Sequence, residues 1–155
     1  MFRSFKKNIA FFIKAISFFC LCLILAGCSK KKTENAVAVF IPGVMAGSPI
    51  YEMLADGAVE AVNEFNTKNN SNVKIDVIEA GTNQAEWSSK LTALTAGKKY
   101  SLIVSSNSSL PAIIEPLTEQ FPEQKYLVLD AFLDKNNNVA TINYNQREQG
   151  YLTGY

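Results

Sequence analysis

The 155 residues contain no histidine, and the three cysteines, Cys20, Cys22 and Cys28, all lie close to the N-terminus. Without imidazole, the Ser-His-Asp and Cys-His nucleophilic arrangements and the usual zinc sites have no parts to be built from. The chain is therefore expected to work without catalysis, metal or cofactor, using hydrogen bonds and stacking. Four segments offer those groups. Pro42-Gly43-Val44-Met45-Ala46-Gly47-Ser48 holds two glycines and leads into a helix start, where free N–H groups can receive an anion or the loop can simply turn. It lacks the Walker lysine and the Gly-x-Gly-x-x-Gly spacing, so Met45 is read as part of a neutral ligand wall. Tyr51 can stack on a flat ligand or cover the sheet edge. Ser105-Ser106-Asn107-Ser108-Ser109 concentrates small hydrogen-bonding groups, with Ser106 and Asn107 as the ligand candidates and an ordinary turn as the competing role. Asp130 can accept two hydrogen bonds from a ligand's hydroxyls or ring N–H groups, or act as a cap.

The remaining reactive group is the thiol of Cys28. Arg3, Lys6, Lys7 and Lys14 precede an apolar run from Ala15 to Gly27, broken only by Ser17. This is the layout of a secretory signal, with an apolar stretch short of the ~20 residues a membrane span needs. It ends in Leu25-Ala26-Gly27-Cys28, which resembles the lipobox of bacterial lipoproteins. Residues 1–27 are expected to be removed, Cys28 to carry the lipid, and residues 28–35 to form a polar tether on the extracytoplasmic side of the cell membrane. Ser29 in place of an aspartate permits an outer-membrane address and leaves inner versus outer open. Four of the 15 basic residues leave with the signal, so 11 remain against 14 acidic ones, a net charge of −3. That balance lacks the basic patch of a nucleic-acid binder. Lys30-Lys31-Lys32 is smaller than a polybasic membrane signal.

The elements that must position these groups alternate. Ala36 to Ile41 is a wholly apolar run, the mark of a strand buried on both faces of a parallel sheet. A helix is predicted from about Pro49 to Thr67, with Ser48 as N-cap and Ile50, Leu54, Ala58, Ala61 and Phe65 on its apolar face. Strands follow at Val73–Glu79, Tyr100–Ser105, Lys125–Asp130 and Val139–Tyr144. Helices are predicted at Gln84–Ala96 and Leu110–Gln120, with another beginning near Gln146. Trp87 is assigned to the core with Leu91 and Leu94, and Gly97 to the left-handed C′ position. The alternation implies an open parallel α/β sheet flanked by helices over residues 36–155. Ligands of such sheets bind outside the carboxyl ends of the strands, which is where the four polar segments fall.

At this point the residues resemble a family. Ala38 to Gly57, Phe121-Pro122-Glu123-Gln124-Lys125-Tyr126 leading to Asp130, and Asn138 to Gly154 are similar to the basic membrane protein (BMP) family. Its members are substrate-binding lipoproteins of ABC transporters, several of them purine nucleoside receptors. The resemblance implies a type I periplasmic-binding fold, in which two α/β lobes clamp the ligand, with this chain holding the N-terminal lobe and stopping before the second. It implies capture of a small polar solute, most simply a nucleoside, for an ABC permease. Asp130 matches the family's strand-end carboxylate. Pro42 stands where members have Asp near the end of the first strand, and Ile50-Tyr51-Glu52 stands where they have an aromatic-Asn pair. Two further readings keep the fold: a receptor for a sugar or another small solute, and a surface adhesin that binds host or matrix proteins.

Overall fold

A computed structural model describes residues 35–154; the signal, Cys28 and nearly all of the tether lie outside the described residues. Five strands form one sheet: β1 (Ala36–Ile41), β2 (Lys74–Glu79), β3 (Leu102–Ser106), β4 (Lys125–Leu129) and β5 (Val139–Ile142). Their spatial order is β2-β1-β3-β4-β5, and every neighbouring pair is parallel. Among the described residues four helices accompany them: α1 (Pro49–Asn69), α2 (Trp87–Ala96), α3 (Leu110–Gln120) and α4 (Gln146–Thr153). A 3-10 turn, Gln84–Glu86, introduces α2.

The order explains the layers. From β1 the chain steps outward to β2, then crosses back over β1 to reach β3 and continues the other way. Right-handed crossovers in opposite directions place their helices on opposite faces. Ala36, Ala38 and Phe40 of β1 therefore join Ile103, Tyr126 and Val128 beneath Trp87 and Leu91 of α2 and Leu110, Ile114 and Leu117 of α3. Val37, Leu102, Val104, Leu127 and Leu129 look the other way, toward α1. All six β1 residues are buried, as a central parallel strand requires. Buried hydroxyls on the α2/α3 side have partners: the Tyr126 and Thr95 hydroxyls meet at 2.9 Å, and Thr95 also donates to the Leu91 carbonyl.

Several boundaries differ from the sequence-based expectation. Helix α1 runs two residues further and ends when Asn70 turns left-handed (φ 47°). Ser48 occupies the N-cap position but makes no side-chain cap bond. Gly97 stays right-handed (φ −64°), and Lys98 takes the left-handed position instead (φ 49°). Strands β3, β4 and β5 end near the expected places, although β4 stops at Leu129, because Asp130 has φ 52° and leaves the sheet.

The apolar stripe of α1 is not a buried stripe. Only Ala55 is buried, while Ile50 is 69% and Phe65 51% exposed. The stripe and the sheet beneath it form an apolar groove of about 540 Å³, walled by Met53, Leu54, Ala58, Val104, Leu127 and Leu129. One helix is too narrow to cover this face of the strands, since helix diameter is about 10 Å and strands repeat about every 4.8 Å.

Candidate functional site

The strand order switches between β1 and β3, from which the connections step in opposite directions, so the switch-point crevice opens at their carboxyl ends. The groove beside α1 is a different place. It runs along the flank of the sheet, and its nearly all-apolar walls offer a polar solute few partners.

The first wall of the crevice is the 42–48 loop, and it is braced from several sides. The Ala80 N–H donates to the Ile41 carbonyl at 2.8 Å and the Gly81 N–H to the Gly43 carbonyl at 2.9 Å, carrying the β1–β2 pairing past the strand ends. The Met45 N–H donates to Glu79 Oε2 at 3.0 Å. The Tyr51 hydroxyl donates to the Pro42 carbonyl at 3.0 Å. Its ring lies so close to Gly43 that a Cβ there would sit 2.7 Å from Tyr51 Cε2, which accounts for the glycine. Tyr51 is half-buried and closes over the end of β1. Of its two readings from sequence, covering the sheet edge describes this packing.

The second wall follows β2. Gly81 turns left-handed (φ 76°), and its carbonyl accepts from Trp87 Nε1 at 2.8 Å, so Trp87 is a core residue that also pins the loop. Lys90 Nζ donates to the Ala80 carbonyl and pairs with Glu86 Oε2, each at 2.7 Å. The Lys90 ammonium, aided by the Asn83 amide, holds the Glu86 carboxyl below its usual range.

At the end of β3 the polar segment divides its labour. Ser105 is buried, and its hydroxyl donates to the Phe40 carbonyl at 2.5 Å, tying β3 to β1. Asn107 Oδ1 accepts from the Ser109 N–H at 2.9 Å and from the Ser109 hydroxyl at 2.5 Å, the turn that feeds α3. The two amide hydrogens of Asn107 take no part in this turn, and Ser106 and Asn107 are both half-exposed at the edge.

Strands β3 and β4 pair Ser106 with Leu129, so Asn107 and Asp130 leave the sheet as neighbours. Asp130 is half-buried and left-handed. The structure thus places Met45, Tyr51, Ser106, Asn107 and Asp130 at one edge of the sheet. It gives Met45 and Tyr51 definite duties in bracing the first loop, and Asn107 a duty in the turn. Sequence reasoning overlooked Glu79 and Lys90 as braces. Glu79 carries the same signal that singled out Asp130, a carboxylate at a strand's carboxyl end.

Comparison with known proteins agrees with this geometry. The family model for Bmp, described as ABC transporter substrate-binding protein PnrA-like, matches residues 34–155. A solved solute-binding protein of an ABC transporter system from Aeropyrum pernix K1 is similar, with TM-score 0.66 and 26% identity. The match covers 77% of this chain and 31% of that one, so this chain spans about a third of that protein's length. A crystallised fragment from Peptoclostridium difficile 630, named as a lipoprotein, shares the fold with TM-score 0.54 and 22% identity, over 77% of this chain and 93% of the other.

Proposed function

This chain belongs to the Bmp family of PnrA-like ABC-transporter substrate-binding proteins, and from that membership we propose that it captures a small polar solute, a nucleoside first, and hands it to an ABC permease. The family is one of transport receptors, not of enzymes. The observation that carries the reading is the match over 34–155 together with the braced crevice it contains. Asp130 would accept from donors on the ligand, while Asn107 and Ser106 would bond its polar edges. A prebuilt wall such as the 42–48 loop lowers the ordering cost of binding.

The test is thermal denaturation of the full-length protein with purine and pyrimidine nucleosides, and with free sugars. Purine nucleosides should raise the melting temperature, with stabilisation growing as RT ln(1 + [L]/Kd). A shift with sugars and none with nucleosides would move the assignment to a sugar receptor. No shift with either, combined with binding to matrix proteins, would favour the adhesin.

The tether is proposed to act through Cys28, lipidated after removal of residues 1–27, on the extracytoplasmic face of the membrane. Two linked signals are the norm for stable anchoring, and a lipid-modified N-terminus supplies more than one acyl chain. Cys28→Ser should move the protein from the membrane fraction to the soluble fraction. Retention of Cys28→Ser in the membrane would show that some other segment holds it there.

A further inference from the structure

We propose that Glu79 is a positioning residue for nucleoside binding: its carboxylate latches the Met45–Ser48 turn, and the solute reaches full affinity only while that latch is made. The proposal rests on the solute-receptor reading above and names what sets the first wall of that same site. Glu79 ends β2, in register with Ile41, the last residue of β1. Successive side chains of a strand point to opposite faces. Ile78 packs against the core beneath α2 and α3, so Glu79 faces the other side, where the 42–48 loop carries the chain into α1.

Both backbone groups of Met45 are engaged there. Its N–H donates to Glu79 Oε2 at 3.0 Å, and its carbonyl accepts from the Ser48 N–H at 2.9 Å. The two residues inside this turn, Ala46 and Gly47, are exposed. Gly47 is left-handed (φ 78°), and a Cβ added to it would meet nothing within 4 Å. Packing therefore does little to hold the tip. Up to Gly43 the loop is fixed by the continued β1–β2 pairing and by the Tyr51 ring. Past Gly43 the Glu79 bond ties the turn to the sheet.

A hydrogen bond in contact with solvent adds little to global stability, because water competes for both groups. Its weight falls instead on a local equilibrium between a seated and a displaced turn. A ligand that needs the seated wall binds with an affinity reduced by the fraction of molecules in which the wall is seated. The half-exposed Met45 side chain rides on this turn, so the latch sets where that part of the wall meets the solute.

The test compares wild type, Glu79→Ala and Glu79→Gln in the full-length protein, by calorimetric titration with inosine and by hydrogen exchange at the Met45 amide. Glu79→Ala should speed that exchange and weaken inosine binding about five- to tenfold, the loss expected if the turn is seated in roughly 10–20% of molecules. Its ligand-free melting temperature should stay near the wild-type value, as for other surface changes. Glu79→Gln removes the charge but keeps an acceptor oxygen, so it should restore slow exchange and most of the affinity. Unchanged inosine affinity in Glu79→Ala, or equal losses in both variants, would overturn the latch while the receptor reading stands. Failure of the wild-type protein to bind any nucleoside would overturn both.

Discussion

Asp130→Asn is expected to weaken ligand binding by roughly one to two orders of magnitude while leaving the fold intact. A carboxylate that accepts hydrogen bonds from a ligand contributes about 1.5–3 kcal/mol per bond, and each 1.4 kcal/mol is tenfold in affinity. Asparagine keeps the shape and one acceptor oxygen but removes the charge. The choice of asparagine matters because Asp130 sits at φ 52°. Asn and Asp visit the left-handed region readily, whereas a residue such as alanine loses about 1–2 kcal/mol there. Asp130→Ala should thus lose both ligand-induced stabilisation and some ligand-free stability. Measuring ligand-free melting temperatures beside ligand-induced shifts separates the two effects. If Asp130→Asn melts like wild type and still gains the full shift with nucleoside, Asp130 has no part in binding.

The residues that were easy to read from sequence are those whose role is local or dictated by burial. Ala36–Ile41 is apolar throughout because both of its faces are covered, and it appears as the fully buried β1. Leu110–Gln120 is bounded as expected because Pro111 suits a first turn and its apolar residues recur on one face. What could not be read depends on partners distant in the chain. Tyr51 looked equally suited to stacking or to covering the sheet edge; the difference is made by the carbonyl of Pro42 and the missing Cβ of Gly43. The stripe Ile50, Leu54, Ala58, Ala61 and Phe65 correctly announced an apolar helix face. Periodicity says which side is apolar, not how much of it is covered, and here the stripe walls an open groove. Gly97 was expected to be left-handed because glycine pays least for that conformation, yet the helix ends at Ala96 with Gly97 still right-handed as its cap, and Lys98 makes the turn. At the site the carboxyl-edge location followed from strand order, whereas Glu79 and Lys90 needed the three-dimensional contacts to be seen as braces.

The largest effect on stability should come from Phe40→Ala. Phe40 is 1% exposed in β1, the strand between β2 and β3, and packs in the cluster beneath α2 and α3. Truncating a buried phenylalanine removes its transfer free energy and leaves a cavity that close-packed neighbours refill only partly, at a cost of about 3–5 kcal/mol. Single domains have roughly 5–15 kcal/mol of stability in total, so the variant should sit near the limit of folding. At about 4 °C per kcal/mol for a lobe of this size, the melting temperature should fall by roughly 12–20 °C. The same position bears on the site, because the Phe40 carbonyl accepts the Ser105 hydroxyl and so helps keep β1 and β3 together at the switch point. Ile50→Ala is the matched control: Ile50 is apolar but 69% exposed, and surface changes of this kind stay within about 0.5 kcal/mol. Circular dichroism melts of the two variants decide the matter. A Phe40→Ala protein that melts within a few degrees of Ile50→Ala would mean that β1 is not the centre of the core.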